Sequence, residues 1–104
     1  MRRSTVTCTR TDEGDLTTLR FEGLLDAVST VEVRPIIEAV VNDQRRRVVV
    51  DLSALRLVDS SGVGAIVSIY KRIRHEGGEV AVTGATGQPL AIFRLLRLDR
   101  VFAP

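Results

Sequence analysis

The sequence predicts an α/β fold: a single-domain mixed β-sheet over residues 1–104, with an N-terminal antiparallel hairpin and helices packed on it. Three observations predict it. The first stretch alternates with period two, setting Val6 and Cys8 against threonines and then running through Leu19 and Phe21. Apolar stripes at helical spacing begin near Val33, Val63 and Leu90. Between them lie short β-branched runs, and strands alternating with helices call for crossover connections onto one sheet.

Thr5 to Arg10 reads as the first strand, Asp12-Glu13-Gly14-Asp15 as a turn, and Leu16 to Glu22 as the second strand of a hairpin with a longer loop. Gly23-Leu24-Leu25-Asp26 closes that strand. Ser29 followed by Glu32 matches a capping box, and Val33, Ile36, Ile37, Val40 and Val41 form a stripe running to about Asn42. Pro35 weakens the first turns, so the helix start can slip toward Arg34. Asn42 to Arg47 is a polar turn. The unalternating run Val48-Val49-Val50 suits a strand buried on both faces; Asp51-Leu52-Ser53 follows, then a link from Ala54 to Val58.

Val63, Ile66, Val67, Ile69, Tyr70 and Ile73 recur at helical spacing, with Gly77-Gly78 as the stop. Glu79 to Thr83 is a further strand and Gly84 to Gln88 a loop, while Pro89 suits a first helical turn. Leu90, Phe93, Leu95 and Leu96 make the third helix apolar on much of its surface. Leu98 to Phe102 reads as a short last strand.

Composition narrows the function. The net charge of +2 and pI near 9.3 are mild for a nucleic-acid binder. The consecutive Arg45, Arg46 and Arg47 could touch phosphate, but such a run also suits a solvated strand entrance. Phe21, Tyr70, Phe93 and Phe102 fall mostly on apolar stripes, leaving no stacking platform for single strands. Cys8 stands alone, so no internal disulfide can form, and it reads as a small core residue. No apolar run approaches the roughly 18 residues of a membrane span, and Met1-Arg2-Arg3-Ser4-Thr5 carries no signal-peptide apolar core. These points predict a cytoplasmic protein engaging neither membrane nor nucleic acid.

Asp59-Ser60-Ser61-Gly62 puts two hydroxyls and a carboxylate where the central strand passes into the second helix. Two readings apply. Ser and Asp cap helices by accepting from the free amides of the first turn. A hydroxyl there can also carry a phosphate, whose charge the amides and helix dipole tolerate. Asp26, between strand and helix, occupies the same kind of place, as a polar loop residue or as part of a site. Catalysis finds little support. Gly62-Val63-Gly64 continues to Val67 rather than a third glycine, so a dinucleotide fingerprint fails. The single histidine, His75, ends the helix that Ser60 begins, about 18 Å away and beyond the reach of a general base. One His and one Cys make no transition-metal site. We therefore expect no catalytic residue, metal or cofactor.

Asp51-Leu52-Ser53, Val58-Asp59-Ser60-Ser61-Gly62-Val63-Gly64 and Tyr70-Lys71 together resemble the signature of bacterial anti-sigma-factor antagonists of the STAS-domain family. Gly23-Leu24-Leu25-Asp26 resembles that family's Gly-Glu-Leu-Asp turn, and Leu98-Asp99-Arg100-Val101-Phe102 its closing segment. The resemblance implies a non-enzymatic partner-switching protein, monomeric or weakly dimeric. Ser60 would be phosphorylated by an anti-sigma factor that is itself an ATP-dependent serine kinase, and a serine phosphatase would reset it. Asp26, Asp59, Ser60, Ser61 and Gly62 would form the partner-binding turn. A STAS scaffold or transporter-regulating subunit gripping another protein with the same face is the alternative. A nucleotide- or nucleic-acid-binding module using Arg45, Arg46 and Arg47 is a third reading, from a different class. This chain departs from the family's pattern at Leu24, where glutamate is usual. It lacks the small, often glycine-containing break before Leu98, and it stops at Pro104 where many members add a helix.

Overall fold

Alternating side chains and one tight turn build the hairpin that starts the sheet. The computed structural model describes residues 5–102; expectations for residues 1–4 and 103–104 lie outside the described residues. Strand β1 (Val6–Glu13) pairs antiparallel with β2 (Leu16–Leu25), and the register Glu13↔Leu16 leaves only Gly14 and Asp15 in the loop. The longer loop expected there is corrected. Gly14 takes a φ of 60° at the first loop position, where a two-residue hairpin favours glycine. Asp12, read as turn, stays in the ladder, where its carboxylate accepts from the buried Thr17 hydroxyl at 2.9 Å.

Helix α1 (Ala27–Asn42) leads to β3 (Arg47–Val58), α2 (Ser60–His75) to β4 (Glu79–Thr83), and α3 (Gly87–Leu95) and α4 (Leu98–Phe102) follow. The sheet order is β1-β2-β3-β4, with β2, β3 and β4 mutually parallel. Strands laid down in sequential order send each crossover the same way, so same-handed crossovers place their helices on one side. Burial agrees: Leu19, Phe21, Val48, Val50, Leu52 and Val82 enter one core with Val33, Val40, Ile66, Ile69 and Phe93. The residues between them, Arg20, Ser53 and Ala81, are exposed and Val49 is half-buried. β3 is therefore covered on one face, not both.

β3 also outruns its expected end. Ala54 to Val58 continues the strand, because two shifts in its pairing with β2, between Arg20 and Glu22 and between Gly23 and Leu24, each absorb an extra β3 residue. Those bulges reset the phase, so Leu52, Leu55 and Val58, three residues apart, all point into the core.

Helix α1 begins earlier than the Ser29–Glu32 pattern suggests. Asp26 is the N-cap and Ser29 the third helical residue, and the two close a capping box. Pro35 sits inside α1 without delaying its start. The last segment is the helix α4, not a strand, and it brings Phe102 edge-on to both Tyr70 and Phe93, with ring centroids 5.5 Å apart in each pair. Phe93 and Phe102 are buried, whereas Leu95 and Leu96 are exposed, so the third helix is less apolar inside than expected. Between α3 and α4 Arg97 adopts φ 60°, the left-handed conformation a glycine break would accept without strain. Cys8 is half-buried on the core face, and burial pushes its thiol up to about 11, as suits a packing residue.

Candidate functional site

Two helix starts meet at the C-terminal edge of the sheet. β2 and β3 run parallel and end in register at Leu25↔Val58, so the caps Asp26 and Asp59 emerge side by side. The Asp59 amide donates to the Leu25 carbonyl at 3.2 Å, tying the two exits together. Ligand sites in open α/β sheets favour this edge, beyond the carboxyl ends of parallel strands.

Asp26 has a structural task. Its carboxylate accepts from the amides of Val28 and Ser29 at 3.0 and 2.9 Å, while the Ser29 hydroxyl accepts from the Asp26 amide at 2.8 Å. The Ser29 amide, with the other capping donors, holds the Asp26 carboxyl below its ordinary range. Ser29 itself is buried and donates to the Leu24 carbonyl at 2.9 Å. The polar-loop reading of Asp26 thus becomes the N-cap of α1.

Capping of α2 falls to Asp59, whose carboxylate accepts from the Gly62 amide at 3.0 Å. That leaves Ser60 and Ser61 at the first two helical positions, both exposed. Among the described residues the Ser60 hydroxyl has no hydrogen-bond partner, and the amides of Ser60 and Ser61 meet no acceptor. A free nucleophilic hydroxyl thus stands beside open N–H groups at the positive end of a helix, where added negative charge is best tolerated.

Gly62 is buried, and it sets the spacing of the site. A Cβ there would strike the Leu25 carbonyl oxygen and lie 2.5 Å from Val58 Cγ2. Only glycine lets the first turn of α2 lie against the end of β2. Ser61 faces a groove between α1 and α2 of about 360 Å³, lined also by Ala27, Thr30 and Ala65. Farther along, Arg72 grips Glu38 across the helices with bonds of 2.6 and 2.8 Å. Apolar surface stays exposed at the same end of the molecule: Leu57 on β3, and Val28 and Val31 on the first turns of α1. These three are among the large aliphatic side chains that the described residues leave exposed.

The other candidates lie elsewhere. His75 is the last residue of α2 and Ser60 the first, so the histidine stands at the far end of the helix from the hydroxyl. Arg45 is committed to the hairpin, donating to Thr17 Oγ1 and the Gly14 carbonyl at 2.6 Å each, and Arg47 approaches Asp15 at 3.7 Å. Arg45 and Arg47 therefore brace the start of β3, and Arg46 between them is exposed. Among the described residues no group of His, Cys, Asp and Glu could hold a metal ion, and no helix is long and apolar enough to cross a membrane.

One residue at the site escaped sequence reading. Gln88, expected in a loop, is the second residue of α3, and its carboxamide accepts from the Val58 amide and donates to the Val58 carbonyl, both at 2.9 Å. Nothing in pattern or composition marks it.

Comparison with known proteins gives a consistent result. Residues 8–104 match the family model of the STAS domain. A curated relative, the anti-sigma F factor antagonist of Paenibacillus polymyxa, is 35% identical over 85 residues, covering 81% of this chain and 70% of the relative. The crystal structure of an anti-sigma factor antagonist from Mycobacterium paratuberculosis superposes with a TM-score of 0.85 at 25% identity, over 97% of this chain and 86% of that one. The phosphorylated form of the Bacillus cell fate determinant SpoIIAA shares the fold, with a TM-score of 0.74 at 17% identity over 90% and 86% of the two chains.

Proposed function

The chain belongs to the STAS-domain family, and from that premise we propose that it is an anti-sigma-factor antagonist working by partner switching, with no catalysis of its own. Unphosphorylated, it binds an anti-sigma factor that is also a serine kinase and so releases the sigma factor. Phosphorylation of Ser60 ends that binding, and a separate serine phosphatase restores it.

The observation that carries this reading is the division of labour at the start of α2. Asp59 performs the capping, so the exposed Ser60 hydroxyl has no structural duty and is open to a kinase. Its phosphate would add about −1.5 to −2 charges beside open helix amides, which the free protein can accommodate. Against a partner the balance changes. A desolvated charge without a matching group costs several kcal/mol, and about 2.7 kcal/mol already weakens binding a hundredfold. Leu57, Val28 and Val31 supply the apolar surface that such a partner would cover. Asp26, Asp59, Ser61 and Gly62 complete the partner-binding turn, Gly62 by letting the first turn of α2 lie against the end of β2.

Intact-mass measurement after incubation tests the proposal. ATP alone should leave the protein unmodified, whereas ATP with a cognate anti-sigma kinase should add one phosphate, mapped to Ser60 and missing in Ser60→Ala. A phosphate on another residue, or none with a kinase that binds, would refute it.

A further inference from the structure

β4 pairs with β3 only from Arg47 to Asp51, so among the described residues the later part of β3 has no strand neighbour on that side. At its end a side chain takes the neighbour's place. The Gln88 carboxamide both accepts from the Val58 N–H and donates to the Val58 C=O, at 2.9 Å each, closing a rung of the kind a strand would supply. Because a backbone donor and acceptor face it, the orientation of the amide is fixed by its partners.

The rung sits at a sensitive point. Val58 immediately precedes the cap Asp59 and stands two residues before Ser60. On its other edge Val58 registers with Leu25, and the next amide bonds the Leu25 carbonyl. The backbone entering the turn is thus held on both sides, by β2 and by α3. Gln88 is an exposed residue, so the two hydrogen bonds, not burial, are its main contribution. An exposed glutamine spent on a strand end, where the chain passes into a free serine, does more for the turn than for the core.

We infer that Gln88 is a positioning residue for the phosphorylation turn: its clasp on Val58 fixes the backbone entering α2, so that α3 sets how Ser60 meets the kinase. The inference rests on the reading of Ser60 as phosphoacceptor. Loss of the clasp frees the end of β3 on one edge, and the turn then samples conformations the kinase does not accept.

Two variants test it. Gln88→Ala removes both bonds, and Gln88→Glu keeps the shape and the acceptor but sets a carboxylate against the Val58 carbonyl. In the free protein, amide exchange at Val58 should quicken about tenfold or more in Gln88→Ala, with exchange in mid-α2 unchanged. With a cognate kinase and ATP, phosphorylation of Ser60 should become about tenfold less efficient in both variants, a change equivalent to about 1.4 kcal/mol. A stability control, Ile73→Val in the core far from the turn, should lower the melting temperature yet leave phosphorylation at the wild-type rate. Unaltered Val58 exchange in Gln88→Ala would overturn the clasp. Faster exchange with wild-type phosphorylation would overturn the positioning role alone. Wild-type protein that takes no phosphate from a kinase it binds would overturn the reading of Ser60, and the positioning role with it.

Discussion

Two glycines two residues apart on α2 should answer the same substitution with opposite signs. At Gly62 an added methyl meets the Leu25 carbonyl oxygen and Val58 Cγ2, the latter at 2.5 Å, and Leu25 Cγ at 3.0 Å. A backbone carbonyl in a sheet cannot turn aside as a side chain can, so α2 must lift from β2. Overpacking costs about 1–3 kcal/mol, and against a fixed backbone carbonyl it lies in the upper part of that range, about 2–3 kcal/mol; the helix preference for alanine over glycine returns at most about 1 kcal/mol. The net loss for Gly62→Ala is therefore about 1–2 kcal/mol, which lowers the melting temperature by some 4–15 °C for a domain of this size. At Gly64 nothing lies within 4 Å of the new methyl, so Gly64→Ala keeps the helix gain and should stabilise by about 0.5–1 kcal/mol. Urea titrations followed by circular dichroism measure both. Equal stability changes in the two variants, or a Gly62→Ala protein as stable as wild type, would refute the claim that close approach of α2 to β2 builds the site.

Two further outcomes follow from the geometry. Arg97 holds a left-handed φ of 60°, which costs an ordinary side chain about 1–2 kcal/mol; Arg97→Gly should raise the melting temperature by a few degrees, net of glycine's own entropy cost, and a lower value would contradict it. Asp26 is held below its ordinary value of 3.8, so its charge contributes stability above that pH, and the contribution is lost as the pH falls through the depressed folded value. The stability gap between wild type and Asp26→Asn should stay level from about pH 7 to pH 5 and shrink in stronger acid; chemical denaturation across that range would contradict the sign if the gap widened.

Where period and spacing are strong, the sequence discloses the fold. The stripe from Val63 to Ile73 and the capped turn ahead of it fall where the structure has them. Legibility fails where register, not composition, decides. Ala54 to Val58 breaks period two, yet it is strand because two bulges rephase it, and a bulge is a property of a pair of strands. Ser29 and Glu32 fit a capping template, but the same serine one turn later serves Asp26, since any polar pair three apart satisfies the pattern. Leu98 to Phe102 is too short for period to separate helix from strand. At the site, Ser60 and its neighbours were visible as residue types at a strand-to-helix turn. Which of them caps and which stays free needed geometry: Asp59 bonds the Gly62 amide and Ser60 bonds nothing among the described residues. Gln88 had no signal at all, because its role depends on the absence of a neighbouring strand.

The central claim is that charge at Ser60 breaks a protein contact without disturbing the fold. Its most direct test is a calorimetric titration of a cognate anti-sigma kinase with wild type, Ser60→Ala and Ser60→Asp, with melting curves alongside. Ser60→Ala should bind like unphosphorylated wild type and Ser60→Asp at least about tenfold more weakly, a difference of about 1.4 kcal/mol. Both should melt within a few degrees of wild type, because Asp59 retains the cap. Equal affinity for Ser60→Ala and Ser60→Asp, or a collapsed fold in the acidic variant, would contradict the account.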